Sequence, residues 1–300
     1  MSEVFRPKQF LRPDNEDRVS KYLEEYGDRC RLIAGGTGIY EVAHRGLLSD
    51  VETLVDITRL NLSYIRRDRN TLRVGACTTM SSMTNSEELK LANNLGAILD
   101  ALRAIQPLQV KNVATVAGAI CTALPFFDLP VALMSVNASV QIAPSGRVAN
   151  LSDFIQGYFA VDLRRGEFVR EVELPLSNQG EPVGSAFQKF SITGDDWALV
   201  NCGVSLSLDR SSKIASVSVV YGGGVGEKPQ RAEGIEKLLA GVHSDDEKSI
   251  RTIFDHNMEK EVATISDIRA SSDYRTKLAK VLGRRAVLEA VKRAGRVGGT

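Results

Sequence analysis

The sequence predicts an α+β protein built in two parts, and three observations carry that expectation. Short apolar runs alternate with helical spacing through the first half of the chain. Three strand-like runs then follow one another after residue 183. Helical periodicity returns to close the chain.

Taken in order, Val19, Tyr22, Leu23 and Tyr26 recur at helical spacing, and Gly27 follows as a stop signal. RLIA (31–34) reads as a short buried strand, and Ile39, Val42 and Ala43 open a second helix. TLVDI (53–57) and TLRVGA (71–76) read as further strands. The first third is therefore a βαβ arrangement with glycines at a strand-to-helix junction, where open α/β sheets place ligands. From Ser86 the spacing predicts one helix, with Leu95, Ile98, Leu99 and Leu102 on one face and Pro107 ending it. The stretch from 111 to 148 begins too irregularly for either assignment. It then predicts a short helix after Pro130, a strand from Ser139 to Ala143 and a turn at Pro144–Gly146. EFVREVELP (167–175) alternates as a half-buried strand.

SNQGEP (177–182) is polar with Gly and Pro and marks the expected boundary, giving domains 1–177 and 178–300. Beyond it, GSAFQKFSI (184–192), ALVNCGVSLSLD (198–209) and SKIASVSVVY (212–221) predict a three-stranded antiparallel meander. Such a meander buries one face, and helices near 231–240, 246–258 and 274–294 can cover it. GGGVGEKP (222–229) reads as a connecting loop.

The totals exclude several classes of function. Lys plus Arg number 38 against 37 for Asp plus Glu, so the net charge of +1 offers no field for nucleic acid or an anionic membrane. No run approaches the ~20 apolar residues of a membrane span, and the first residues carry no apolar leader, so a cytoplasmic protein without membrane insertion is expected. Cys30, Cys77, Cys121 and Cys202 are scattered, as are His44, His243 and His256. With no CxxC pair, no metal site is expected, and redox work would need an organic cofactor.

Two small-residue segments stand out. AGGTG (34–38) is neither a P-loop nor the GxGxxG of a Rossmann site; it is either a tight turn or a phosphate cradle at a helix N-terminus. ATVAGAICTA (114–123) leaves the backbone equally uncovered and alone could serve close packing. Together they suggest one extended, doubly charged ligand between two rows of amides. Asp128 is a helix cap or an acceptor for ribose or adenine. Trp197, the one tryptophan, is a core residue or a ring laid over another ring system. Lys189 lies in FQKF on a strand, where a charged side chain is expected to be exposed to solvent.

These residues also resemble a known family. AGGTGIY, TLVDITRL, LRVGACTTM, QVKNVATVAGAI, FFDLPVAL, FQKF, GDDWALV and DIRASSDYR, in that order, are similar to the FAD-binding medium subunit of molybdenum hydroxylases, the carbon monoxide dehydrogenase and xanthine dehydrogenase-like complexes. The resemblance runs from about Phe5 to Ala294. It implies a two-part FAD-binding domain of the vanillyl-alcohol-oxidase (PCMH) type, followed by a smaller α+β domain. The family's first FAD segment falls on Leu32, Ile33, Ala34, Gly35, Gly36, Thr37, Gly38 and Ile39. The second falls on Thr115, Val116, Ala117, Gly118 and Ala119. Its aspartate falls on Asp128, its flavin-side lysine on Lys189, an apolar contact on Ile105, and the aromatic residue that shields one flavin face on Trp197.

There are departures. Gly38 stands where the family commonly has Asp, and Ala117 and Ala119 replace a glycine and an asparagine of the second segment. The lost side-chain amide costs about 1 kcal/mol where water takes its place, while the backbone amides survive, so FAD binding is still expected. The resemblance implies an electron-transfer subunit with no catalytic side chain of its own. It would sit beside a small iron–sulfur subunit and a large subunit with the molybdenum cofactor, as a dimer of heterotrimers. Substrate and terminal acceptor are not readable. Two alternatives stand beside it: a cofactor-free scaffold, favoured by the altered second segment, and a stand-alone FAD oxidoreductase of the same fold.

Overall fold

The first βαβ unit sets up the N-terminal layer of the computed structural model, which describes residues 5–178 and 180–297. Strand β1 (Gln9–Leu11), helix α1 (Glu16–Tyr26), β2 (Cys30–Ile33), α2 (Thr37–His44) and β3 (Thr53–Asp56) follow in order. The strands form a parallel sheet of order β1-β3-β2, with Gln9 and Cys30 both in register with Thr53. The Asn15 side chain accepts from Arg18 N at 2.9 Å and caps α1, whose first turn carries Glu16 and Asp17 where the helix dipole favours negative charge.

Next come β4 (Ile65–Asp68), β5 (Thr71–Gly75), α3 (Met80–Asn85), α4 (Glu87–Leu91), α5 (Gly96–Ala104), α6 (Leu108–Val113), α7 (Val116–Cys121) and α8 (Asp128–Ser135). They are followed by β6 (Ser139–Ala143), β7 (Val148–Asn150), α9 (Leu151–Phe154), β8 (Ile155–Gly157), β9 (Ala160–Val161) and β10 (Phe168–Pro175). Strands β4-β5-β10-β6-β7 make a five-stranded antiparallel sheet, and β8 pairs with β9 alone. A register shift against β6 between Val169 and Glu171 interrupts the alternation expected for β10. The single helix expected from Ser86 to Pro107 is in fact broken. A 3-10 turn at Asn93–Leu95 separates α4 from α5, because Asn94 spends its side chain on Pro175 O and Ser177 N. The stretch left unassigned at 111–123 holds the end of α6 and all of α7, two helices of six residues each.

The C-terminal part contains β11 (Val183–Phe190), β12 (Val200–Leu208), β13 (Ile214–Gly223), β14 (Gln230–Arg231), α10 (Glu233–Leu239), α11 (Glu247–Glu261) and α12 (Ser272–Val297). Its antiparallel sheet has four strands, β11-β12-β13-β14, where three were expected. The extra strand is two residues long, too short to alternate visibly, and lies between the loop read at 222–229 and the helix expected near 231–240. The sheet is also covered on both faces rather than one. Ala186, Val219 and Tyr221 join the core under α10–α12, while Phe187 and Val220 join the N-terminal core. Successive residues of a strand point to opposite faces, so one sheet serves both cores. The outer edge of β11 is tied to the N-terminal part: Ala97 N donates to Ser185 Oγ (2.9 Å) and Phe187 N to Asp100 Oδ2 (3.2 Å). Arg293 of α12 donates to both Asp100 Oδ2 and Ser185 O at 2.7 Å.

Among the described residues, no helix is long and apolar enough to cross a membrane, and no cluster of His, Cys, Asp or Glu could hold a metal ion.

Candidate functional site

The βαβ glycines open onto a groove of about 900 Å³, within the range of roughly 300–1,000 Å³ that ligand pockets span. Leu32 to Ile39 line one side; Thr115, Ala117 and Gly118 of the second segment line another. Gly36 caps α2 with φ +75°, a left-handed conformation that glycine adopts without strain. Gly35 and Gly38 permit close approach. A Cβ on Gly35 would lie 1.7 Å from Val113 O, and one on Gly38 2.2 Å from Thr122 Oγ1. The loop is thereby pressed against the end of α6 and against α7, which fixes its amides.

Those amides are free. Among the described residues no carbonyl accepts from the N–H groups of 35 to 39, and no side chain caps α2. Five consecutive N–H donors at a helix N-terminus form an anion site. The second segment behaves differently from the expected second row of amides. Val116 N donates to Thr78 O, Ala117 N to Ala76 O, Ala119 N to Thr115 O, and Gly118 N to the Thr115 hydroxyl. Only the Thr115 amide lacks an acceptor there. Two of these donors tie α7 to the segment that follows β5, and the other two are spent on its own N-cap, Thr115. Val116 and Ala119 point into the core, and the segment offers the groove small side chains rather than amides.

A third wall, at 159–169, was missed by sequence reasoning. Phe159, Val161, Leu163, Arg164, Arg165 and Val169 line the groove, as do Arg31 and Asp28. Phe159 (φ +55°) donates its N–H to the carbonyl of Ala123 (φ +47°), so strained backbone gathers where this wall meets α7. Arg165 reaches across to Glu24 O at 2.9 Å. Glu167 is neutralised by Arg147 (2.8 Å), which together with Ser145 and the Arg164 amide holds its carboxyl at about 2. The adjacent pair Arg164–Arg165 was the available signal, but only the fold brings it to the groove that the glycine loop lines.

The remaining expected residues lie off the groove. Ile105 is half-buried at the end of α5 against the N-terminal core. Asp128 is the first residue of α8 and not its cap, which is Phe127. Lys189 is largely shielded, with 10% of its side chain exposed and its ammonium 2.8 Å from Asp128 Oδ2, instead of lying in solvent. Trp197 stacks on Phe126 (5.8 Å between centroids, 7° between planes), with Arg45 5.0 Å above the indole and Arg269 4.7 Å above Phe126.

Fold and groove together define a protein that binds an extended, diphosphate-bearing cofactor between two sheets. Residues 4–177 match the family model described as FAD binding domain in molybdopterin dehydrogenase, and residues 185–290 match the CO dehydrogenase flavoprotein C-terminal domain. The chain belongs to this family, as an FAD-binding medium subunit of molybdenum hydroxylase type. It is 30% identical to the glyceraldehyde dehydrogenase medium chain of Sulfolobus acidocaldarius, over 93% of this chain and 97% of that one. It is 27% identical to the carbon monoxide dehydrogenase medium chain of Afipia carboxidovorans, over 95% and 97%. The structure superposes on a chain of reconstituted CO dehydrogenase from Oligotropha carboxidovorans with a TM-score of 0.86 at 26% identity, covering 96% of this chain and all of that one.

The residues present fit FAD. The free amides of 35–39 match a diphosphate, and Leu32, Ile33, Ile57 and Phe159 offer apolar walls to flat rings.

Proposed function

We propose that this chain is the flavin-carrying electron relay of a multi-subunit molybdenum hydroxylase. Bound FAD supplies the redox chemistry, taking up electrons and passing them on singly or in pairs. The chain's own residues bind, orient and shield. The amides of Gly35, Gly36, Thr37, Gly38 and Ile39 compensate the diphosphate charge, with Arg164 and Arg165 at the rim. Thr115, Ala117 and Gly118 leave room for the cofactor to approach α7. The observation that carries the reading is the unpaired row of amides over a groove of cofactor size.

The relatives are named as medium chains, and one as a dehydrogenase complex subunit alpha. On that ground the chain works beside a small iron–sulfur subunit, which delivers electrons, and a large subunit with the molybdenum cofactor, which oxidises substrate. The dimer-of-heterotrimers arrangement and the division of the chain at 177/178 belong to the same reading, as does a cytoplasmic location. Four free cysteines agree with a reducing compartment.

The test is to express the chain with the subunits encoded beside it and to record the visible spectrum of the purified complex. Flavin bands in one-to-one ratio with this chain support the relay. A colourless but assembled subunit supports the scaffold instead, and turnover of a substrate by the isolated chain supports a stand-alone enzyme.

A further inference from the structure

Away from the groove, the contact between the two halves of the chain holds a polar cluster that the free amides do not explain. Asp128 opens α8 in the N-terminal half, whereas Lys189 is the next-to-last residue of β11 and Asn201 the second of β12 in the other. Lys189 Nζ donates to Asp128 Oδ2 at 2.8 Å, and Asn201 Nδ2 donates to Oδ1 at 2.7 Å. Both carboxylate oxygens therefore have protein donors, and Asp128 is not among the residues lining the groove. Burial pushes the Asp128 carboxyl up, while Lys189 and Asn201 pull against it.

Asn201 is completely buried, and among the described residues its Oδ1 has no partner. Turning the amide over would set Oδ1 against a carboxylate oxygen, two acceptors face to face. The fold thus leaves one acceptor unpaired in order to keep an N–H on Asp128. The backbone makes room for this orientation: a Cβ on Gly222 of β13 would lie 2.7 Å from Asn201 Oδ1 and 2.5 Å from Val131 Cγ2. A lysine ammonium is a point charge on a flexible stem, and a carboxylate held at its other oxygen gives that stem one resting place.

We propose that Asn201 is a positioning residue: through Asp128 it fixes the Lys189 ammonium, and Asp128 serves that ammonium rather than the cofactor's ribose. The consequence at the cofactor rests on the flavin-carrier reading together with the resemblance that sets Lys189 beside the flavin; the coupling of the three side chains rests on geometry alone. Asn201 brings a third side chain to a pair that the resemblance treats as separate cofactor contacts.

The test is a double-variant cycle on the FAD-loaded protein, read by the flavin midpoint potential and the FAD dissociation constant. Lys189→Met sets the reference change in potential. Asn201→Ala and Asp128→Asn move it in the same direction, and Asn201→Ala adds less than about half of its own effect once Lys189 is Met. Asp128→Asn leaves Kd within about threefold, whereas losing a direct hydrogen bond from ribose to a carboxylate would raise it roughly ten- to hundredfold. Additive changes, an unmoved potential in Asn201→Ala, or a tenfold loss of affinity in Asp128→Asn overturn the proposal. Thermal melts of the same cycle on apoprotein read the Asn201–Asp128 coupling without flavin. A wild-type chain that binds no FAD sinks the flavin-carrier reading, and independent effects in those melts sink this one.

Discussion

Replacing Gly36 with valine tests the cradle at its most exacting point. Space is not the obstacle, since an added Cβ would meet only the Ile33 side chain, at 3.5 Å. The obstacle is φ of +75°, which a β-branched residue adopts only under strain. Holding such a residue in the left-handed region costs about 1–3 kcal/mol. Without ligand the loop relaxes and releases that strain; with ligand it must return to point the amides of 35–39 at the diphosphate. The dissociation constant for FAD therefore rises by roughly 5- to 150-fold. Equilibrium dialysis of apoprotein against FAD measures this directly, and Gly36→Asn, which tolerates positive φ, shows a much smaller rise. The C-terminal half stays folded, because its core under α10–α12 contains no residue of the loop. Undiminished flavin affinity in Gly36→Val, with native circular dichroism, would refute the amide cradle.

Other outcomes follow from the same geometry. Glu167 is depressed from an ordinary 4.5 to about 2, so its contribution is complete above 4.5 and lost as pH falls through about 2. The urea stability gap between wild type and Glu167→Gln is about 3 kcal/mol at pH 7 and closes towards pH 2. Arg293→Ala removes the guanidinium shared by Asp100 and Ser185 and lowers stability by about 1.5–3 kcal/mol in chemical denaturation. Trp197→Ala abolishes the intrinsic emission of the sole tryptophan and changes flavin fluorescence or potential; an unchanged flavin would confine that ring to its stack on Phe126.

Legibility followed length and period. The strand at 139–143 and the ends of α12 near 274 and 294 were readable because regular alternation or helical spacing ran uninterrupted. Strands β1, β7, β8, β9 and β14 are two or three residues long and carry no period of their own; they exist because a neighbouring strand offers hydrogen-bond partners. At the site, the glycine loop was legible because glycine is a local statement about φ and about space. The 159–169 wall was not, since Arg164 and Arg165 gain meaning only by lining the same groove as the glycine loop.

By itself the sequence determined the two-part α+β layout, the strand-to-helix junction at 34–38 and the family. Each of these follows from chemistry confined to neighbouring residues or from an ordered string of motifs. Tertiary structure alone decided which amides stay free. Among the described residues those of 35–39 meet no acceptor, while those of 116–119 are taken up by Ala76, Thr78 and the N-cap Thr115. It alone decided that Lys189 turns inward to Asp128 and that one sheet closes two cores. Hydrogen-bond satisfaction and burial depend on what arrives from elsewhere in the chain, and no local pattern of residues encodes that arrival.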